Sequence, residues 1–202
     1  MTDVRPATLE DRDLLARIAA TGFYDDPVLS WALQDDATRL SKLMIVFGGM
    51  VDDMLPDRGV VHLAGSDSAA FWRDPTFGDA VTASDRLSAD EPAMSEDPSP
   101  FSDDEMARFG ILGAAMHDAH PKDPHWYLNV VSTLPEQQGR GLGAAVLQPV
   151  LERADAERAP CYLEWTNPRN RSLYYRQGFV DMGEIRIDGG PTMLQMWRDA
   201  RH

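Results

Sequence analysis

Cysteine is nearly missing from this chain. One thiol, Cys161, serves 202 residues, so no disulfide can close within the chain. That usage suits a reducing compartment, and the cytoplasm is expected. Long apolar runs are missing as well. None approaches the roughly 20 residues of a membrane-spanning helix, and the first residues lack the basic-then-apolar order of a secretion signal. Bases are outnumbered: the formal net charge is −14. That balance argues against nucleic acid or an anionic membrane as a partner and favours cationic ligands such as amines. No lysine lies near the glycine cluster at 139–143, which excludes a Walker A loop. His120 and His125 flank Pro121-Lys122-Asp123-Pro124, whose kinks spoil ligand spacing, so no metal is expected.

Hydrophobic residues make up 43% of the chain, enough for one domain over 1–202 with a real core. Residues 84–105 stand apart. They hold Asp85, Asp90, Glu91, Glu96, Asp97, Asp103, Asp104 and Glu105 against Arg86 alone, with Pro92, Pro98 and Pro100 among them. This stretch reads as a solvated insertion, or alternatively as a lid selecting cationic acceptors.

Elsewhere the patterns are regular. Val4–Pro6 predicts a short strand, and Thr8 to Asp11 a capped helix start with Leu14, Leu15, Ile18 and Ala19 inward. Helices follow around Trp31 and over 37–55, then a hairpin over 60–72 turning at Gly65-Ser66-Asp67. A helix over 105–116 precedes a strand over 125–133. Next come a helix from Leu142 with Pro149 expected to kink it, a strand opened by Cys161, another helix and two closing strands. Cys161 is expected to be a packed thiol, not a nucleophile.

The most informative stretch is Gln138-Gly139-Arg140-Gly141-Leu142-Gly143, between a strand and a helix. Glycines tolerate backbone dihedrals that side chains forbid. A helix N-terminus presents unpaired N–H groups and a partial positive charge that suit a phosphate. Two phosphate-bearing ligands fit. Gly139-x-Gly141-x-x-Ala144, with Glu164 about twenty residues on, matches a dinucleotide fingerprint. Against that, Leu134 to Gln138 separate the strand from the glycines, and βαβ alternation is missing before residue 125. Gln138-x-x-Gly141-x-Gly143 is the better match.

That second pattern resembles the pyrophosphate-arm motif of the GNAT superfamily of acetyl-CoA-dependent N-acetyltransferases. A further block, Leu163-Glu-Trp-Thr-Asn167-Pro-Arg-Asn170 through Tyr174 to Gly178-Phe179, follows at the spacing that family shows. Asp26-Pro27, Phe71-Trp72 and Gly190-Pro191 look like the subgroup that includes puromycin acetyltransferase. The resemblance is clear over 121–198, weaker over 1–75 and absent between. It implies an α/β fold with a mixed, mostly antiparallel sheet, helices on both faces, and a bulge in the strand ending near Thr133 that splays it from the strand ending near Trp165.

The resemblance also implies roles. Acetyl-CoA would be the donor, with backbone groups of Val131, Ser132 and Thr133 against the pantetheine arm and thioester. Gln138, Gly139, Arg140, Gly141, Leu142, Gly143 and Ala144 would hold the pyrophosphate, and Asn167 and Asn170 could also reach the cofactor. Tyr174 would return a proton to the leaving thiolate, since a phenol stays protonated at neutral pH. Glu164 is the candidate base, with Trp165 on the opposite strand face. Tyr24, Asp25 and Asp26 would form an acceptor wall with Glu164. The acceptor is expected to be a small-molecule amine, and a homodimer is compatible with the sequence. The rival classes are a non-catalytic acyl-CoA-binding module and a dinucleotide-dependent oxidoreductase.

Overall fold

Thirteen helices and strands in the computed structural model, which describes residues 3–56, 59–77 and 99–201, set the frame for the site. The first half contains β1 (Val4–Pro6), α1 (Arg12–Gly22), α2 (Pro27–Ala32), α3 (Asp36–Met54), β2 (Gly59–Ala64) and β3 (Ser68–Arg73). The second contains α4 (Asp103–Ala119), β4 (Trp126–Thr133), α5 (Leu142–Glu157), β5 (Cys161–Trp165), α6 (Arg171–Gln177), β6 (Val180–Arg186) and β7 (Thr192–Arg198).

Local chemistry explains most boundaries. Asp26 starts α2: its Oδ1 accepts from the amides of Val28 and Leu29 at 2.9 and 3.1 Å, with Pro27 at the first helical position. Asp35 caps α3 in the same way. A reciprocal pair of Ser102 and Glu105 begins α4, two residues before the expected start. Asp103, Asp104 and Glu105 therefore belong to a helix and not to the acidic loop, and they sit where a helix N-terminus favours negative charge. Residues 84–98 of that expected loop lie outside the described residues. Helix α5 continues through Pro149 and ends at Arg158, which adopts a left-handed conformation (φ 56°).

The seven strands run in the order β1-β2-β3-β4-β5-β7-β6, and only β4 and β5 are parallel. This sheet contradicts the dinucleotide reading, which needs a succession of parallel strands. Both faces are covered, as expected. One core joins Leu63, Ala69 and Phe71 to α1, α3 and α4; the other joins Ala70, Trp72 and Leu163 to α5 and α6. The alternation Ala69, Ala70, Phe71, Trp72 between the two cores is the period-2 rule of a strand buried on both sides.

Strand β4 breaks that rule. Leu128 faces the α5 side and Val130 faces the α1 side, although residues two apart on a regular strand share a face. The register explains it: Phe71 pairs with Val130 and Trp72 with Leu128, leaving Asn129 without a partner on β3. Asn129 is the extra residue of a β-bulge, and every side chain beyond it is flipped.

At the far end of the sheet, Arg198 of β7 is buried and meets Asp155 of α5 through two bonds of 2.8 and 2.7 Å, while its Nε donates to the Gln177 carbonyl at the end of α6. The Arg198 bonds hold the Asp155 carboxyl below its ordinary range. A depressed folded value means the contribution is present above the ordinary carboxylate range and lost as pH falls through the folded value. Asp155→Asn should therefore lower the unfolding free energy by about 3 kcal/mol at pH 7, because it strands a buried guanidinium. Urea titrations at pH 7 and pH 3 should show the gap between wild type and variant closing in acid.

Candidate active site

The pairing of β4 with β5 lasts only three residues, Trp126 to Leu128 against Cys161 to Leu163. Beyond the bulge the two strands part, and a cavity of about 190 Å³ occupies the gap. Its floor comes from β4 around Asn129 and from Glu164 to Asn167 at the end of β5. Tyr174 of α6 closes one side, and Phe23 after α1 with residues of α2, α3 and α4 closes the other. Asn129 lines this space, and its buried Oδ1 has no hydrogen-bond partner among the described residues. Orphaned buried acceptors are rare unless something else satisfies them.

Glu164 points into the same space. Its side chain is only 3% exposed, and its Oε1 also has no hydrogen-bond partner among the described residues. The phenols of Tyr127 and Tyr162 lie within bonding reach of the carboxylate, and burial beside that charge raises the pKa of both. Gln195 Nε2 donates to the Tyr162 hydroxyl at 2.7 Å. His120 Nδ1 is 3.8 Å from Glu164 Oε1, with its ring partly open to solvent. His125 packs on His120 with centroids 4.9 Å apart. It donates from Nδ1 to the Asp123 carbonyl at 2.7 Å, and burial lowers its pKa, which favours the neutral ring.

Tyr174 is 4% exposed, and its hydroxyl lies within reach of the Asn170 side chain. Burial, with the nearby Asp26, pushes the phenol well above its ordinary value, so it holds its proton. Tyr175 points the other way: its hydroxyl donates to Asp181 at 2.5 Å on the surface. Asp26 is 9% exposed, and Thr166 donates to its Oδ2. Burial outweighs these hydrogen bonds and raises its pKa.

The glycine loop lies where β4 meets α5. Gly139 and Gly141 have φ of 78° and 83°, which side chains rarely adopt. Gly143 has no such φ, and an added Cβ there would make ordinary contacts with Thr133 and Leu173. The first two glycines are thus needed for backbone shape, the third is not. Gln138 folds back to donate from Nε2 to the Thr133 carbonyl at 3.2 Å. Gly141 offers no side chain to cap α5, and the first intrahelical bond recorded there runs from Ala145 N to Gly141 O. The amides of Leu142, Gly143 and Ala144 lie in this first turn, the part of a helix that lacks intrahelical acceptors. Arg140 is exposed.

The structure brings Glu164, Tyr174, Asp26, Asn167, Asn170 and Val131 to one cavity. It does not bring Tyr24 and Asp25 there. Tyr24 turns its hydroxyl to the Asp36 carbonyl at 3.2 Å under the Arg39 guanidinium, and Asp25 is exposed outside the cavity wall. Ser132 and Thr133 lie past the cavity with their hydroxyls engaged, Ser132 Oγ with the Ile18 carbonyl and Thr133 Oγ1 with Ser68 Oγ. Asn167 caps the turn before α6, bonding the Arg169 amide. The Cys161 thiol is buried and pushed up to about 12, which makes it inert. Among the described residues no group of three or more His, Cys, Asp or Glu is arranged to hold a metal ion. Sequence reasoning missed Asn129, Tyr127, Thr166 and the His120 contact. Asn129 left one signal, an amide residue inside a strand, where such residues are depleted.

Residues 69–179 match the profile of the Acetyltransferase (GNAT) family. Over 67 residues the chain is 37% identical to an uncharacterized N-acetyltransferase of Schizosaccharomyces pombe. That match covers 33% of this chain and only 27% of the relative. A crystal structure described as histone acetyltransferase HPA2 and related acetyltransferase, from Corynebacterium glutamicum, aligns with a TM-score of 0.68 at 28% identity, over 98% of this chain and 96% of that one. The PaiA N-acetyltransferase of Thermoplasma acidophilum, solved in complex with coenzyme A, aligns with a TM-score of 0.55 at 11% identity, over 98% of each chain. At that identity the likeness is one of fold.

The end of α1 is pressed against β4 beside the site: a Cβ at Gly22 would overlap Ser132 Oγ. Gly22→Ala should therefore destabilise the protein by about 1–3 kcal/mol. Ser132→Ala in the same chain should recover part of that loss, because it removes the atom that is struck. Thermal unfolding of the four members of this double-mutant cycle checks the coupling.

Proposed function

We propose that this chain, which belongs to the acetyltransferase (GNAT) family, transfers acetyl from acetyl-CoA to the primary amine of a small molecule by direct attack. The observation that carries this reading is the parting of β4 and β5, which places a buried carboxylate with an open oxygen and a protonated buried phenol on one cavity. A nucleophile must lose a proton and a leaving group must gain one, so two groups of opposite role on one space suit the reaction. The whole chain works as one domain, in the cytoplasm.

In this reading the amides of Leu142, Gly143 and Ala144 hold the pyrophosphate at the start of α5, with Gln138 to Gly141 shaping the approach. Backbone around Asn129 to Val131, freed by the bulge, meets the pantetheine arm and the thioester oxygen. Glu164 takes the proton from the amine as the N–C bond forms. His120, between that carboxylate and solvent, gives the proton a way out. As the C–S bond breaks, the thiolate takes a proton from Tyr174, and the phenolate recovers one from solvent. Asn170 supports the ionised phenol in that interval. The resemblance to the puromycin subgroup does not name the acceptor: Asp26-Pro27 begins a helix, Phe71-Trp72 is core, and Gly190 packs on Trp31 and Ile187.

Calorimetric titration with acetyl-CoA, CoA and NADH in parallel tests the cofactor. Micromolar binding of the CoA species with no NADH signal is expected; the reverse sinks the proposal. Tyr174→Phe should lower kcat by about 100-fold, the usual range for loss of a general acid, with acetyl-CoA affinity nearly unchanged. Unchanged turnover removes Tyr174 from the mechanism. Binding of acetyl-CoA with no thiol release from any amine would leave a non-catalytic binding module.

A further inference from the structure

We infer that the acceptor is a lipophilic primary monoamine, an aryl- or alkylamine with one positive charge and no acidic group. The inference rests on the acetyl-transfer reading above and names the class of substrate for that site. Its basis is a division of the cavity wall. Apart from Asp26, the helical side contributes only apolar residues: Phe23 after α1, two from α2, three from α3 including Phe47 and Met50, and Phe109, Leu112 and Met116 from α4. The polar groups lie on the strand side, around Glu164 and Tyr174.

Charge is scarcer still. Among the described residues no lysine, arginine or histidine lines the cavity, so a carboxylate or phosphate on the acceptor would be buried there without a partner. Two acids line it, Asp26 and Glu164. Asp26 is already engaged on both oxygens, Oδ1 by the Val28 and Leu29 amides and Oδ2 by Thr166. Glu164 Oε1 alone has no hydrogen-bond partner among the described residues. Among the described residues the site therefore has one open carboxylate oxygen for an ammonium group, beside the uncharged amide oxygen of Asn129, and a second cationic group reaching the helical side would lie against phenylalanine and methionine. The net charge of −14 draws cations of every kind to the surface, but the cavity admits the single-charged, apolar ones.

The test compares 2-phenylethylamine and hexylamine with spermidine and L-phenylalanine as acceptors, following thiol release from acetyl-CoA by the full chain. The monoamines should exceed spermidine and L-phenylalanine in kcat/KM by about 100-fold or more, the scale at which a site rejects a mismatched polar group. A second arm uses Met116→Glu, which adds a carboxylate to the apolar wall. It should lower kcat/KM for 2-phenylethylamine and raise it for cadaverine, and acetyl-CoA titration of the variant verifies that it is folded. Equal or better turnover of spermidine or L-phenylalanine overturns the inference. So does acetyl-CoA binding with no acetylation of either monoamine, while leaving the cofactor assignment intact. If acetyl-CoA does not bind, the acetyl-transfer reading itself falls and the inference with it.

Discussion

One extra residue in β4 controls the geometry on which the rest of this site depends. With Asn129 bulged out of the ladder, β4 bends away from β5 after three paired residues, and its side chains change faces. A continuous ladder would have filled the sheet with hydrogen bonds and left no room between the strands. The bulge opens the cavity, exposes backbone to it and leaves a buried amide oxygen without a partner. The flip also carries Val130 into the core beneath α1, so the strand on the far side of the opening remains anchored. The overlap that any side chain at Gly22 would create shows how closely α1 is held there.

The two carboxylates of the cavity show how environment separates chemically similar groups. Asp26 caps α2 and ties that helix to Thr166 at the end of β5, so its charge is spent on holding the wall in place. Glu164 is as deeply buried, but one of its oxygens faces open space beside two phenols and a histidine. A buried charge without full compensation is unfavourable, and in this fold that deficit is concentrated in the cavity. The open carboxylate oxygen and the apolar helical wall thus face each other across one space.

Much of this was legible in the chain. Asp26-Pro27, Asp35 and the Ser102–Glu105 pair begin helices by short-range chemistry, although sequence reasoning overlooked Asp35 and counted Asp103 and Asp104 with the acidic loop. Glycine at 65, 139 and 141 permits the positive φ found there, but residue type does not require it, as Gly143 shows. Tyr174 and Glu164 were singled out through the family resemblance of the block over 163–179, and both line the cavity. The resemblance implied a bulge in β4, but not that Asn129 is the bulged residue: its position is defined by register against β3, and no property of the β4 segment alone states it. Tyr162 shares the β5 face of Glu164 two residues away, as the strand period dictates, whereas Tyr127 and His120 reach Glu164 from other elements, a contact with no local signature. Tyr24 and Asp25 illustrate the converse. They adjoin Asp26 in sequence, but a turn points consecutive side chains in different directions, and only Asp26 faces the cavity.

By itself the sequence determined the elements, their caps, the glycine loop and the family to which the chain belongs, because these rest on interactions between residues a few positions apart. Tertiary structure decided which carboxylate has an open oxygen, where the strands part and which side chains line the cavity. Those properties depend on burial and on partners brought together across the sheet. Desolvation and packing act on neighbours in space, and separation along the chain does not specify them.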